Sequence, residues 1–338
     1  MYLSLVIPFY NRNVESLKLL KTLNKLELKG VEVILVDDGS TDDTYIKLTK
    51  FKDCFVGQSI QLIKQDNKGP GGARNAGLKV SKGKYVWFVD SDDNITQEAI
   101  DFIVDNNSTN HDLINFNYLR QGMVESGVSV NPGSYTNEQE VRKILLGGFG
   151  PLWSNVYKRK VLTDNNILYP EHCYYEDNPL AFIYPFIIKS LLNSNVIAYE
   201  YNEDNESIVR SKPNLRTLDR LYTAEYGFDK GMQYSVGQSE RVVLERMFNR
   251  LYLVNSVGMF ATKKPSKQWL VVWRIMKSYR EKAKELDIKD QFNVLNVLTM
   301  EGTSSKYRAF FFVHWLLSYG LIKNQGKFFK DVRAKAWS

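Results

Sequence analysis

A run of strand-forming residues, Tyr85-Val86-Trp87-Phe88-Val89, empties directly into Asp90-Ser91-Asp92-Asp93. A strand this apolar belongs inside a parallel sheet, and such sheets bind ligands at the carboxyl ends of their strands, where these acids fall. Three clustered carboxylates repel one another unless a cation neutralises them. The chemistry they suit is therefore that of a hard divalent ion such as Mg²⁺ or Mn²⁺, with a phosphate-bearing ligand nearby. The competing use of the same residues is a capped turn, because Ser, Asp and Asn also start helices, and Asp90-x-Asp92 alone does not separate the two.

The elements upstream decide where such a cluster would sit. Tyr2 to Ile7 reads as a first strand, closed by Pro8-Phe9-Tyr10-Asn11 and followed by a helix-period run through Leu17, Leu20 and Leu23. Val31 to Val36 is a second strand, and it too ends in acids, Asp37-Asp38-Gly39-Ser40-Thr41-Asp42. Ile60 to Ile63 is a third, and the turn Lys68-Gly69-Pro70-Gly71-Gly72 leads into a helix expected to begin near Ala73-Arg74-Asn75. Strand and helix alternate, which predicts an α/β fold with a doubly wound, mostly parallel sheet.

The turns at the strand ends exclude two nucleotide-binding classes. A dinucleotide-binding Gly-x-Gly-x-x-Gly would come directly after the first strand, where this chain has Pro8-Phe9-Tyr10-Asn11, and no Gly-Lys-Ser or Gly-Lys-Thr closes a phosphate-binding loop. The blocks Ser4 to Asn11, Glu32 to Asp42, Gly71 to Leu78 and Gly83 to Asp93 instead resemble, in order and spacing, the successive blocks of family 2 glycosyltransferases. Weaker similarity continues to roughly residue 210, and the remainder matches no named family.

That resemblance implies a GT-A fold, a nucleotide-sugar donor carrying UDP, a divalent metal (Mn²⁺ or Mg²⁺) and inversion at the anomeric carbon. It implies roles residue by residue. Asp38 would accept a hydrogen bond from the pyrimidine ring, with Pro8 and Tyr10 lining the same pocket, and Arg74 would meet base or phosphate oxygens. Asp90 would meet the ribose hydroxyls, while Asp92 binds the metal that bridges the diphosphate, with Asp93 in support. Inversion needs a base for the acceptor hydroxyl. The resemblance gives that role to Asp177 in Tyr174-Tyr175-Glu176-Asp177-Asn178-Pro179, with Glu176 beside it, and the apolar run Leu180 to Ile188 places both acids in a helix's first turn. Acids at a helix start also complement its dipole with no catalytic role. Trp153 matches a segment forming part of the acceptor floor; its use as an ordinary core tryptophan stays equally open.

His111, His172 and His314 form no zinc pattern, and none completes a metal shell from the tail; His172 reads as a loop histidine five positions before Asp177. Cys54 and Cys173 form no pair pattern, which suits a reducing cytoplasm. Met1-Tyr2 runs into the first strand without the basic lead of a signal peptide. The longest apolar run, Ala309 to Ile322, includes His314 and Ser318 and falls short of the roughly 20 residues a spanning helix needs.

Charge divides the chain. Residues 1–210 hold 22 Lys and Arg against 27 Asp and Glu, a net −5, and residues 211–338 hold 23 against 11, a net +12. We therefore expect a catalytic domain over 1–210 and a basic helical region over 211–338, with helices at Leu215 to Met232, Arg241 to Met259, Lys267 to Leu286 and Lys306 to Leu321. The aromatic and basic tail from Lys306, with Phe310-Phe311-Phe312 and Trp315, has two open readings. It is an interfacial segment docking on the anionic inner face of a cell membrane, or a stripe packed within the bundle or a homodimer. Nucleic-acid binding is not expected, since no recognised motif accompanies the charge. Tyr118 to Tyr135, with Gly122, Gly127 and Gly133, reads as an acceptor-side hairpin.

The function expected from the whole is transfer of a sugar from a nucleotide donor to a saccharide or lipid-linked saccharide acceptor, in cell-surface polysaccharide synthesis. A nucleotide-sugar pyrophosphorylase would carry a Gly-rich loop with Arg after the first strand, which is missing here. A non-catalytic carbohydrate-binding or scaffolding protein on the same fold would have no need of Asp38, Asp90, Asp92 and Asp177 together.

Overall fold

The computed structural model describes residues 1–12, 16–55, 59–105, 110–148, 150–202, 215–234, 236–257 and 265–288. The chain divides into two compact units, Met1–Asp177 with Ile183–Ser207, and Asn178–Phe182 with Ile208–Ser338.

The first unit is built on one sheet. Its strands are β1 (Leu3–Phe9), β2 (Val31–Asp38), β3 (Ser59–Gln65), β4 (Tyr85–Phe88), β5 (Asn94–Ile95), β6 (Leu113–Arg120), β7 (Met123–Ser126), β8 (Gly133–Tyr135), β9 (Asn155–Lys158) and β10 (Leu191–Tyr201). The order is β3-β2-β1-β4-β9-β6-β10-β5, with β7 on β6 and β8 on β10. The first four strands are parallel, β9 runs against both β4 and β6, and β10 is parallel to β6. The carboxyl ends of β1, β2, β4, β6 and β10 therefore share one edge of the sheet. This is the doubly wound, mostly parallel arrangement expected from the alternation of elements.

Burial on both faces explains the composition of the strands. Every residue of β2 is buried, and Leu3, Leu5, Ile7, Val33, Leu35, Tyr85 and Trp87 meet Leu19, Leu20, Leu23 and Leu48 of α1 (Ser16–Leu23) and α2 (Thr44–Cys54) in one core. α3 (Gly69–Val80) starts four residues earlier than the glycines suggested, with Pro70 in its first turn. Proline is favoured there because its missing N–H would have had no helical partner. α4 (Gln97–Asp105), α5 (Glu138–Gly147), α6 (Arg159–Asp164) and α7 (Leu180–Ile187) come next along the chain. The turn between β6 and β7 has Gln121 at φ 50° and Gly122 at φ 75°, the left-handed pair that suits a two-residue hairpin.

The second unit is helical over its described residues: α8 (Asp219–Gly231), α9 (Gln238–Phe248), a π-helical stretch (Asn249–Asn255) and α10 (Pro265–Glu285). The helix expected to run unbroken from Arg241 to Met259 thus changes pitch at Asn249. There the buried Tyr252 and Tyr279 hydroxyls pair with Ser278 Oγ at 2.6 Å and Asn249 Oδ1 at 2.7 Å. The expected helix over Lys306 to Leu321, the aromatic-basic tail and the boundary at 211–214 lie outside the described residues. Among the described residues no helix is long and apolar enough to cross a membrane.

Candidate active site

The acids that close β2 and β4 come together at the shared edge, each in a different setting. Asp37 is wholly buried, and neither of its oxygens has a hydrogen-bond partner. Asp38 is buried too, and its Oδ1 accepts from Gln65 Nε2 at 2.6 Å and from the Lys68 amide at 2.9 Å. Burial raises the Asp38 carboxyl above its ordinary range, and these two donors oppose the shift without cancelling it. Gly39 makes the sharp turn after β2 at φ 72°, and a Cβ there would lie 2.7 Å from the Asn67 amide nitrogen.

At the end of β4, Asp90, Asp92 and Asp93 do not converge on one point. Arg74 Nη2 donates to Asp90 Oδ1 at 2.8 Å, and Arg12 Nη2 lies 3.0 Å from Asp92 Oδ2. Asp93 points inward, where its carboxylate accepts from the Tyr199 hydroxyl at 2.7 Å and the Asn202 amide at 2.8 Å. The same Tyr199 oxygen accepts from the Asp90 amide at 3.0 Å. Burial pushes Asp93 up to about 8, Asp90 and Asp92 add to the rise, and the two donors resist it.

Asp92 and Asp90, with 35% and 31% of their side chains exposed, are the carboxylates of this cluster open enough to meet a ligand or a metal ion, and Asp90 is the one tied to the buried Arg74. Among the described residues no group of three or more His, Cys, Asp or Glu side chains is arranged to hold one. A hard cation would thus find at most two protein carboxylates here and would need the rest of its oxygen shell from a ligand such as a diphosphate.

Glu176 and Asp177 do not occupy the first turn of α7 as expected; they sit in a turn ahead of it, since the helix begins at Leu180. Glu176 is buried against Arg74, whose Nη1 donates to Glu176 Oε1. Burial raises the Glu176 carboxyl above the usual carboxylate range, helped by Asp177 and opposed by Arg74. Arg74 stays firmly charged, since Glu176 and Asp90 outweigh the cost of its own burial. The segment arrives there on strained backbone, with His172 at φ 51° and Tyr175 at φ 61°. His172 itself is exposed.

Tyr10 is exposed and Pro8 half-buried at the end of β1, on the same edge as Asp38. Trp153 is half-buried; its ring lies parallel to Tyr199 at 4.3 Å and to Tyr201 at 5.4 Å, with Tyr118 edge-on at 4.7 Å. Beside it a cleft of 220 Å³ is lined by Tyr118, Arg120, Pro151, Trp153 and Tyr201. Sequence reading missed Arg12, Gln65, Tyr199 and Asn202. Tyr199 and Asn202 lie more than a hundred positions from Asp93, and no local pattern marks them.

The profile of glycosyl transferase family 2 matches residues 4–142. Over 208 residues the chain is 30% identical to the poly(ribitol-phosphate) beta-N-acetylglucosaminyltransferase TarS of Staphylococcus aureus, covering 59% of this chain and 34% of that protein. It is 25% identical over 223 residues to the putative glycosyltransferase EpsH of Bacillus subtilis, covering 61% and 62%. It is 31% identical over 178 residues to a poly(ribitol-phosphate) beta-glucosyltransferase of Bacillus spizizenii, covering 51% and 27%. The matches thus span between about a quarter and less than two thirds of these relatives' own length. In structure, the chain resembles S. aureus TarS 1-349 in complex with UDP-GlcNAc with a TM-score of 0.69 at 20% identity, over 94% of this chain and 89% of that one.

Proposed function

We propose, from the premise that the chain belongs to glycosyl transferase family 2, that it transfers a sugar from a UDP-linked donor to a saccharide or lipid-linked saccharide acceptor, with inversion at the anomeric carbon. The acceptor would belong to a cell-surface polymer, such as the poly(ribitol-phosphate) for which two of the relatives are named. The observation that carries the reading is the gathering of Asp38, Asp90 and Asp92 at one sheet edge with the Glu176-Asp177 turn tied to the same place through Arg74.

In this reading Asp38 receives the ring N–H of uracil between Pro8 and Tyr10, and Asp90 receives the ribose hydroxyls. Asp92 would hold a divalent ion, which supplies charge stabilisation to the departing nucleoside diphosphate when bound. Asp93, already held by Tyr199 and Asn202, fixes the turn that presents Asp92. Asp177 takes the proton of the acceptor hydroxyl as it attacks the face opposite the leaving group. The cleft beside Trp153 is where acceptor rings would lie, with aromatic edges against sugar C–H groups. The catalytic part corresponds to residues 1–210 and the basic region to 211–338.

The test is a panel of nucleotide sugars assayed by thermal shift and by donor hydrolysis, with and without Mn²⁺. A ligand that binds the folded state at a hundred times its dissociation constant stabilises it by about 2.7 kcal/mol. UDP-sugars are expected to raise the melting temperature and to be hydrolysed slowly. A protein that responds to none of them, with either metal condition, does not have this function.

A further inference from the structure

Four residues at the start of α3 grip the acid-bearing segment that precedes α7. The Lys68 carbonyl accepts from the His172 amide at 2.6 Å, and Lys68 Nζ lies 3.4 Å from Glu171. Asn75 brackets Tyr169, donating to its carbonyl and accepting from its amide, both at 2.9 Å. Gly71 lets the two backbones close: a Cβ there would collide with the Pro170 carbonyl oxygen and come within 3.2 Å of Glu176 Cβ. Arg74 completes the grip through its ion pair with Glu176 while its other arm holds Asp90.

The guanidinium is therefore spoken for. Its side chain is 7% exposed and that of Glu176 9%, so the pair is shielded from water on both sides. Breaking such a pair leaves an unpaired buried ion, which costs far more than an exposed pair would. Two separate nitrogens serve two carboxylates that are 86 positions apart in sequence, a geometry that lysine cannot reproduce. Nε is buried as well and has no partner, so no face of the group is turned to a ligand by solvent exposure.

We infer that Arg74 is a positioning residue, a buried strut between the donor-side Asp90 and the Glu176-Asp177 turn, and not a ligand of the nucleotide. Glu176 is its anchor and does not itself take the acceptor's proton. The strut sets where Asp177 stands relative to the end of β4. This rests on the reading of Asp177 as the base, and the experiment separates the two.

Hydrogen exchange by mass spectrometry on the full chain reads the amides of 170–178 without any ligand. Calorimetry with UDP as the probe reads nucleotide affinity, and turnover of a UDP-sugar reads the chemistry. The double variant Arg74→Met/Glu176→Gln removes both fully buried charges and leaves only Asp90, whose side chain is 31% exposed to water, without its cation; Arg74→Lys and Glu176→Gln are the single variants. In the double variant the segment is expected to exchange about tenfold faster or more, with kcat down by about tenfold or more and donor KM and UDP affinity within about threefold of the parent. Its loss in kcat should be at least that of Glu176→Gln alone, because it removes the Arg74–Asp90 contact together with the Arg74–Glu176 one. Should the double variant fail to fold, Arg74→Lys carries the same readouts. A UDP affinity that falls by about tenfold on changing Arg74, while Glu176→Gln binds normally, overturns the inference and makes Arg74 a nucleotide ligand. Unchanged exchange and kcat overturn it too. If Asp177→Asn keeps full turnover, the assignment of the base fails, and the exchange data still decide whether the strut exists.

Discussion

β2 carries a buried acid at each end, and the two ends are built differently. Glu32, near the amino end, is fully engaged: it accepts from Ser4 Oγ at 2.6 Å, from the Lys82 amide at 2.5 Å and from the Gly83 amide at 3.0 Å. At the carboxyl end Asp37 has no partner for either oxygen, and Asp38 keeps a raised pKa despite two donors. A buried carboxylate that receives several hydrogen bonds is a structural tie, whereas one left short of them is a cost that a ligand can relieve. The same strand thus separates a closed end, where polar groups pair with each other, from an open end, where they await something else.

The largest effect expected at the open edge is on chemistry. Asp177→Asn keeps the side chain's shape and deletes the base, and turnover should fall by about 10²-fold or more while UDP affinity stays near the parent's. Turnover within a few-fold of the parent, measured with a UDP-sugar found in the screen, would return the base to an unassigned residue.

Changing the two ends of β2 should produce opposite signatures. Glu32→Ala removes the acceptor of the Ser4 hydroxyl and the Lys82 amide in the closed end, while the Gly83 amide keeps Ser4 Oγ, and is expected to cost roughly 3 kcal/mol in urea unfolding, with UDP affinity unchanged. Asp38→Ala should cost less stability than Glu32→Ala, because removing a carboxylate that burial disfavours offsets the loss of its bonds to Gln65 and the Lys68 amide, and should weaken UDP binding by at least about tenfold, the worth of one charged hydrogen bond. If Glu32→Ala also abolishes UDP binding at full folding, the division between closed and open ends is wrong.

Acidity sharpens the same contrast. Because burial raises Asp38 in the folded protein, the unfolded chain gives up this proton at lower pH, and the group's contribution to stability declines as pH rises through its folded value. UDP binding has the opposite sign: it wants the carboxylate, so affinity should fall as pH drops through that raised value, above the ordinary aspartate range. Asp38→Asn should flatten both curves. A UDP titration in the parent that stays level down to the ordinary aspartate range would remove Asp38 from the base pocket.

Much of this edge was legible because its signals are local. Strands that run apolar into acids, as at Val36-Asp37-Asp38 and Val89-Asp90, announce both the sheet and its functional end within a few residues. What stayed hidden depends on contacts across the fold. Tyr199 reaches Asp93 from β10, and Arg74 reaches Glu176 across 102 positions, so no spacing rule finds either. The helix start at Gly69 was missed because glycines usually mark a turn, while here Pro70 sets the first turn and Gly71 yields room for the Pro170 carbonyl. The pitch change at Asn249 was hidden in the same way, since buried tyrosine hydroxyls with side-chain partners across the helices leave no local trace.

The smallest expected effect concerns Arg12, which lies against Asp92 at 3.0 Å with both side chains 35% exposed. At that exposure an ion pair contributes little to stability, about 1 kcal/mol at most, so Arg12→Gln should leave the melting temperature nearly unchanged. Its consequence should appear in metal binding. A guanidinium on Asp92 occupies the oxygen that a divalent ion would use and adds like charge beside it, so its removal should favour the ion. Electron paramagnetic resonance of Mn²⁺ titrated into the protein without nucleotide should give a dissociation constant lower by a few-fold in Arg12→Gln, an amount set by the same modest pair energy. Asp92→Asn is the control, and it should bind Mn²⁺ more weakly than the parent. Tighter binding in Arg12→Gln with no loss in Asp92→Asn would move the ion elsewhere, and equal constants in all three proteins would mean that the open edge takes its ligand without a metal on Asp92.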